Sequence, residues 1–288
     1  MSEESQKIKE FILTELIIVF REVLEASLII GILYTYLKKI DNGNAIKQLW
    51  KGVSYALIAS MVGSFLFQIF AGGFQGKAEK LFEGFVMIIA SITLASMIIW
   101  MAKNQNIANE IKQKAEKSIS ENKLGVGIFS LAFISVFREG IETILFLYGI
   151  FIKDGNVSII LSLLGGLLGL SIGYLIFIKG KSVPVKTFFN VSSILLIFVA
   201  SGMLAYGVHE LESAGIIKDY GRIWDINPEL NSDGSYPLFH DKGYIGGFFK
   251  GIFGYNGNPS LIEFLTWMIS LICFFYLYNL FRDVKKLS

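Results

Sequence analysis

The stretch FILTELIIVFREVLEASLIIGILYTYL, residues 11–37, decides the fold, because it is strongly apolar yet carries Arg21, Glu22 and Glu25 in its interior. A helix needs about 20 apolar residues to cross a bilayer, so this stretch is long enough to span one. Each ionisable side chain at mid-membrane costs about 2.5–3.5 kcal/mol on insertion scales. Charges kept at that cost indicate a function.

The same pattern returns in LGVGIFSLAFISVFREGIETILFLYGIF, residues 124–151, as Arg138, Glu139 and Glu142. Both copies read R-E-x-x-E, and they lie 117 residues apart. Six buried charges together cost on the order of 15–20 kcal/mol if their insertion costs are summed. Packing does not offset that cost, so the sequence predicts a functional site built from the two motifs.

The composition indicates a membrane protein. Of the 288 residues, 53% are hydrophobic and only 17% are charged, and the mean hydropathy is +0.57. The net charge of +2 gives no basic surplus that would attract nucleic acid. Cys273 is the only cysteine, which excludes an intrachain disulfide and a thiolate metal cluster.

Seven apolar segments are predicted to span the membrane as helices, since segments this long and continuous are not barrel strands. They run over about 11–37, 48–71, 81–102, 124–152, 157–178, 187–210 and 260–281. The sequence therefore predicts an all-α membrane protein with seven transmembrane helices.

The distribution of Lys and Arg sets the predicted orientation. The connections on one side of the membrane, together with the C-terminal tail, hold 15 of these residues. The N-terminal tail and the short connections on the other side hold 5. We therefore expect the N-terminus outside, the C-terminus inside, and the long segment of about 211–259 outside.

The two motif copies also predict an inverted repeat. Three predicted spans separate their starts, an odd number, so the two motif helices cross the membrane in opposite senses. Such repeats place a binding site near the midplane. We expect one polytopic domain with these parts: repeat 1 about 11–102, repeat 2 about 124–210, an outer loop about 211–259 and a seventh helix about 260–281.

The spacing within each motif predicts a cation site. Residues i and i+3 share a helix face, so Glu22 can converge with Glu25 and Glu139 with Glu142. Carboxylate oxygens are hard donors, which suit ferric iron and several divalent ions. Four carboxylates and two guanidinium groups sum to −2, a balance that favours a multivalent cation.

Two other interpretations of the motifs stay open. They could form a structural ion-pair network, although buried ion pairs stabilise proteins weakly. A di-iron carboxylate enzyme would need Glu-x-x-His pairs, and neither of the two histidines lies in a motif.

The chain resembles the high-affinity iron permeases of fungi and their bacterial EfeU-type counterparts. The similar blocks are Phe20 to Ala26, Phe137 to Glu142, His209 to Gly215, Trp224–Asp225 and Gly251 to Ser260. The resemblance covers nearly the whole chain. The first motif departs from the family pattern at Val23, where glycine is common.

The resemblance implies a permease, not an enzyme, that imports iron across the plasma membrane or the bacterial inner membrane. The metal ligands it implies are Glu22, Glu25, Glu139 and Glu142, supported by Arg21 and Arg138. Iron would be the transported ion, with no resident cofactor. The expected partners are membrane lipid and either a separate ferroxidase or a periplasmic or extracellular protein that delivers iron.

Two rival functions remain. The nearer one is a permease of the same fold for another cation, such as lead or manganese. The other is a membrane metalloprotein that transports nothing.

Side chains nearer the outer side are candidates for an ion-access route. They are Glu15, Glu83, His209, Glu210 and Glu212. Interfacial solvation is the alternative for most of them, and stabilisation of the helix dipole is the alternative for Glu83. We expect His240, in the outer loop, to be a solvated surface residue.

Two further patterns predict structure rather than chemistry. Ser260 and Glu263 form a capping-box signature for the last span. Gly165, Gly169 and Gly173 recur every four residues, which permits close helix packing within the bundle, with dimerisation as the second use.

Overall fold

A computed structural model describes residues 14–103, 111, 113–117, 124–177, 185–227, 230–231, 236–241 and 243–283. Its helices are α1 Thr14–Lys39, α2 Gly43–Ala71, α3 Lys77–Lys103, α4 Leu124–Asp154, α5 Ile159–Phe177, α6 Val185–Ser213, α7 Tyr244–Phe253 and α8 Leu261–Asp283. Within the described residues, the β-structure consists of a single bridge between Arg222 and Ser260. The all-helical prediction is therefore confirmed.

Five of the described helices are long and apolar enough to cross a membrane, judged by length and composition. They are Gly43–Ala71, Lys77–Ile99, Ile159–Phe177, Asn190–Ser213 and Leu261–Arg282. Helices α1 and α4 have 26 and 31 residues and carry the charged motifs. Outside the described residues lie positions 11–13 of the first predicted span, the N-terminal tail, residues 284–288 and parts of the connections 103–123 and 179–186 that were used for the Lys and Arg counts.

Polar caps and a glycine fix several helix ends. The Asn42 side chain accepts a hydrogen bond from the Ala45 amide at 3.0 Å, which starts α2. The predicted capping box is confirmed, because the Glu263 amide donates to Ser260 Oγ at 3.0 Å. Gly254 ends α7 with a φ of 70°, in the left-handed region that glycine adopts without strain.

The helices pack in a reciprocal pattern. Helix α1 packs along α5, α4 packs along α2, α3 packs along α6, and α1 also contacts α4. A Cβ added at Gly169 would lie 2.9 Å from the Phe20 carbonyl oxygen of α1, and one at Gly52 would lie 2.6 Å from the Phe129 carbonyl oxygen of α4. Gly165 and Gly169 contact the α1 backbone in this way, so their predicted use in bundle packing is confirmed.

Two apolar clusters hold the bundle together. One lies among α1, α3, α4, α6 and α8 and includes Phe146 and Leu196, and the other lies among α1, α2 and α4 and includes Leu49. Large apolar side chains also point outward, such as Met61 with 70% of its surface exposed. A surface this apolar suits acyl chains rather than water.

Asn227 connects described parts of the segment between α6 and α8, and we call the end of the bundle that carries this segment the loop end. The Asn227 amide donates to Asp241 Oδ2 at 3.0 Å and to Asn258 Oδ1 at 3.1 Å. The Asn227 carbonyl oxygen lies 2.5 Å from His240 Nε2, and the centre of the Tyr236 ring lies 4.5 Å from that of the imidazole at a tilt of 38°. His240 is consequently only 5% exposed, so the prediction of a solvated surface residue is wrong.

Candidate metal centre

The four motif glutamates lie inside the bundle, where α1 and α4 meet. Each of the four exposes less than a tenth of its surface: Glu22 1%, Glu25 6%, Glu139 3% and Glu142 9%. The i, i+3 spacing turns both acids of each motif toward the partner helix. The structure thus brings the two sequence motifs together, although three helices separate their starts along the chain.

Three of these carboxylates converge on one point. Oxygen atoms of Glu22, Glu139 and Glu142 all lie within 4.8 Å of one another. Glu25 stands outside this group, and its Oε1 lies 3.1 Å from Arg21 Nε instead. The group therefore takes one ligand from α1 and two from α4, rather than two from each helix.

Each motif arginine pairs with both glutamates of its own motif. On α1, Arg21 Nη1 lies 3.5 Å from Glu22 Oε1, and Arg21 Nε approaches the second glutamate of the motif. On α4, Arg138 Nη2 lies 2.6 Å from Glu139 Oε1, and its Nε lies 3.5 Å from Glu142 Oε1. In both copies Nε faces the second glutamate and a terminal guanidinium nitrogen faces the first, so the two motifs form the same kind of ion-pair arrangement.

Several carboxylate oxygens at the centre have no hydrogen-bond donor among the described residues. They are both oxygens of Glu22, Oε2 of Glu139 and Oε2 of Glu142. A buried polar atom left without a partner costs about 1–3 kcal/mol, and more if the group is charged. Oxygens that converge in this state are suited to bind a cation, which would satisfy all of them at once.

The two arginines differ in their surroundings. The Arg21 side chain is fully buried, and its Nη2 contacts Met101 Sδ of α3 at 3.1 Å. The Arg138 side chain is 47% exposed. Sequence patterns did not single out Met101, because only the register of α3 against α1 brings the thioether to the guanidinium.

Comparison with known proteins identifies the family. The sequence profile of the iron permease FTR1 family matches residues 12–284. The chain belongs to this family. Family membership identifies iron as the transported substrate rather than a resident cofactor. It also identifies the protein as a permease rather than an enzyme.

Relatives of the permease span nearly its whole length. The ferrous iron permease EfeU of Escherichia coli O6:K15:H31 is 32% identical over 264 residues, covering 89% of this chain and 91% of the relative. The ferrous iron permease EfeU of Yersinia pestis is 29% identical over 263 residues, covering 89% of each chain. A protein of Archaeoglobus fulgidus is 31% identical over 254 residues, covering 87% of this chain and 88% of the relative.

No solved structure matches the permease significantly. Family membership and the five apolar helices make it a multi-pass membrane protein of the plasma membrane or the bacterial inner membrane.

The candidate access residue Glu15 lies at the start of α5. Its Oε1 accepts a hydrogen bond from the Ser158 amide at 2.9 Å, directly before the first residue of that helix. A carboxylate at a helix N-terminus satisfies an amide that has no partner within the helix and favours the helix dipole. Glu15 is 1% exposed, so a structural contact between α1 and α5 accounts for its burial.

The other candidate access residues meet at the loop end in two groups. In the first group, Lys80 Nζ lies 3.3 Å from Glu83 Oε2 and 2.9 Å from Glu210 Oε2, which ties α3 to α6. In the second group, His209 Nδ1 lies 3.9 Å from Glu212 Oε2. These contacts place all four predicted residues at one end of the bundle, together with Lys80, which the sequence patterns did not single out.

Proposed function

We propose that the permease carries iron through a site near the midplane, where Glu22, Glu139 and Glu142 bind the ion and Glu25 completes the ligand set. One observation carries the proposal: three buried carboxylates from two different helices converge to within 4.8 Å, and each has at least one oxygen without a hydrogen-bond donor among the described residues. A purely structural network would pair these oxygens with donors.

Ferrous iron is the proposed ion. The names of the Escherichia coli and Yersinia pestis relatives specify ferrous iron. Carboxylate oxygens bind Fe²⁺, and they also bind Mn²⁺ and harder ions. Manganese and lead are therefore the competitors to compare with iron.

The arginines stabilise the site when no ion is bound. With Arg21 and Arg138 the four carboxylates carry a formal charge of −2, so the site attracts a multivalent cation without the repulsion of four unpaired anions. Arginine also binds carboxylates through several fixed N–H groups, which holds the side chains in position.

Reciprocal packing supports an inverted repeat of α1–α3 and α4–α6. If α1 corresponds to α4 and α2 to α5, the contact of α1 with α5 corresponds to that of α4 with α2. The same exchange pairs α3 with α6 and α1 with α4, so the α3–α6 contact and the α1–α4 contact are each unchanged by it. The matching ion pairs of the two arginines obey the same relation, and α8 then stands as the seventh span.

The orientation follows from Lys and Arg counts, with 15 on the side proposed to be cytoplasmic and 5 on the other. The loop end then faces outward. Two contacts support the alternating direction of the helices across the membrane. Glu15 with Ser158 joins the start of α1 to the start of α5, and Lys80 with Glu210 joins the start of α3 to the end of α6.

Transport then proceeds by alternating access. An ion arriving from the loop end exchanges water for the glutamate oxygens, and movement of one repeat against the other opens the site to the cytoplasm. A separate ferroxidase or an iron-delivery protein on the outer side would supply the ion.

Uptake of radiolabelled iron into proteoliposomes tests this proposal. The wild-type permease should accumulate iron with time, and Glu22→Gln and Glu139→Gln should each abolish accumulation. Glu116→Gln is the matched control, because Glu116 is an exposed acid outside the motifs. This variant should take up iron at the wild-type rate.

Two results would contradict the proposal. Undiminished uptake by both motif variants would remove the glutamates from the transport path. Equal competition by manganese and iron would leave the site in place but show that it does not select iron over manganese.

A further inference from the structure

His209 lies close to two glutamates where α6 ends and α8 begins. His209 Nδ1 lies 3.5 Å from Glu263 Oε2 and 3.9 Å from Glu212 Oε2. The two glutamates are 4% and 8% exposed, so both carboxylates are almost fully buried. This group lies at the loop end and shares no residue with the R-E-x-x-E motifs.

Neighbouring donors hold the two carboxylates in place. Ser260 Oγ donates to Glu212 Oε2 at 2.5 Å. The Asn256 amide donates to both oxygens of Glu263, at 2.8 Å and 3.0 Å. Hydrogen bonds of this kind orient the ligands of metal sites, and their loss typically lowers metal affinity about 10–100-fold.

Two ligand atoms in the group remain without a hydrogen bond among the described residues. They are Glu212 Oε1 and His209 Nδ1, and both atoms are buried. Glu212 as a whole is only 8% exposed, so bulk water does not satisfy this oxygen. A bound cation would serve both atoms, whereas the capping role of Glu263 explains neither.

A cavity of about 180 Å³ gives an ion access to the group. Its wall includes His209, Glu263, Asn256 and Asn258. At about 30 Å³ per water molecule in the liquid, the cavity has room for an ion that still carries part of its water shell. His209 and Glu263 thus border a polar space rather than a packed apolar core.

Other polar groups on the cavity wall are already engaged. The Lys153 ammonium donates to the Lys250 carbonyl, and the Lys250 ammonium lies 3.9 Å from Asp241 Oδ2. Burial, together with the Asp241 carboxylate, raises the pKa of the Tyr255 hydroxyl above its usual value. Tyr255 therefore stays protonated near neutral pH and provides no phenolate ligand.

We propose that His209, Glu212 and Glu263 form a second cation site at the loop end, which takes a divalent transition-metal ion. An imidazole nitrogen with two carboxylates suits Fe²⁺ or Mn²⁺, whereas the midplane group offers oxygen ligands only. If the site is also the first point at which transported iron is held, that role rests on the proposed function. Cation binding at the site does not depend on the proposed function.

Metal binding to the full-length permease, purified in detergent without a histidine tag, tests the second site. The background is the double variant Glu22→Gln with Glu139→Gln, which removes two of the four proposed midplane ligands, including one from each helix. Mn²⁺ is the probe, with affinity measured by calorimetry and nitrogen ligation detected by pulsed electron paramagnetic resonance. The background protein should bind Mn²⁺ and show a coupled imidazole nitrogen.

The chain has only two histidines, which makes the control simple. Adding His209→Asn should remove the nitrogen signal and weaken Mn²⁺ binding at least tenfold, about the low end expected for a perturbed metal site. Adding His240→Gln should leave both unchanged. Glu212→Gln keeps an acceptor for Ser260 Oγ and should also weaken binding, which provides a second test if the His209 variant folds poorly.

Two results would overturn this second site. One is the absence of Mn²⁺ binding in the folded background protein, and the other is a nitrogen signal that persists without His209. Either result would identify the group as a structural His–Glu network. Iron uptake by the wild-type permease would be unaffected by these results, so a failure here is distinguishable from a failure of the proposed function.

Discussion

Oxygen atoms of Glu22 and Glu139 lie within 4.8 Å of each other, although 117 residues separate the two glutamates in the chain. The first comes from α1 and the second from α4, so the pair brings two helices together at one point. An ion bound there would be held by both helices at once. Any movement of one helix against the other would then alter the ligand set.

The two glutamates of the first motif should differ in importance. Glu22→Gln should weaken iron binding at least tenfold, because Glu22 belongs to the converging group. Glu25→Gln should have a smaller effect, because Glu25 pairs with Arg21 and stands outside that group. Calorimetric titration of both variants with Fe²⁺ under anaerobic conditions measures the difference, and equal losses would show that the fourth carboxylate is a full ligand.

Arg21 should tolerate replacement less well than Arg138. Arg21→Lys should impair iron uptake strongly, since a single ammonium cannot reach Glu22, Glu25 and Met101 from one buried position. Arg138→Lys should retain more uptake, because the Arg138 side chain is 47% exposed and water can solvate the change. Initial rates of iron uptake in proteoliposomes compare the two variants. Greater loss of uptake in Arg138→Lys than in Arg21→Lys would show that burial of the arginine does not decide the effect.

Packing of α5 on α1 should depend on Gly165. A Cβ at this position would lie 2.5 Å from the Leu16 carbonyl oxygen, so Gly165→Ala should reduce the free energy of unfolding by about 1–3 kcal/mol. Gly166→Ala is the control on the same helix, because the nearest atom to its added Cβ is 3.9 Å away. Unfolding by denaturing detergent should separate the two, and equal stability would disprove the close contact.

The reciprocal contact of α2 with α4 should behave in the same way. Gly52→Ala would bring a Cβ within 2.6 Å of the Phe129 carbonyl oxygen, and a similar loss of stability is expected. Gly63→Ala serves as its control, since the nearest atom there is 3.7 Å away on Ile141. A tolerant Gly52 beside a sensitive Gly165 would argue against equivalent packing in the α1–α5 and α2–α4 pairs.

Glu15 should affect stability rather than iron binding. Glu15→Ala removes the acceptor for the Ser158 amide and should cost about 0.5–2 kcal/mol, as the loss of a helix cap does. The iron affinity should stay at the wild-type value. A reduced affinity with unchanged stability would instead place Glu15 in the ion-access route.

Much of the architecture could be predicted from apolar runs and two motifs. The Arg-Glu-x-x-Glu spacing indicated that the glutamates would share helix faces, and the structure brings three of them into one group. The exclusion of Glu25 could not be predicted from the motif, because Glu142 makes the same i, i+4 contact with its arginine and still joins the group. The difference therefore arises from how α1 and α4 pack against each other and not from local spacing.

At the loop end, contacts between residues far apart in the sequence were even harder to predict. Ser260 and Glu263 were predictable as a capping box, because both lie in one local pattern. Their contacts with Glu212 and His209 depend on where α6 ends relative to α8, which no sequence period encodes. His240 was mispredicted for a similar reason, since the Asn227 carbonyl that covers it lies 13 residues earlier in an irregular loop.

The Asn227 amide links Asp241 and Asn258, which follow it by 14 and 31 positions. One side chain thus closes two loops of different length by hydrogen bonds. Such a loop tolerates exchange of its solvent-facing side chains, but each added or deleted residue shifts one anchor away from the others. Epitope tags and fluorescent inserts are therefore better placed at the chain termini than in this segment.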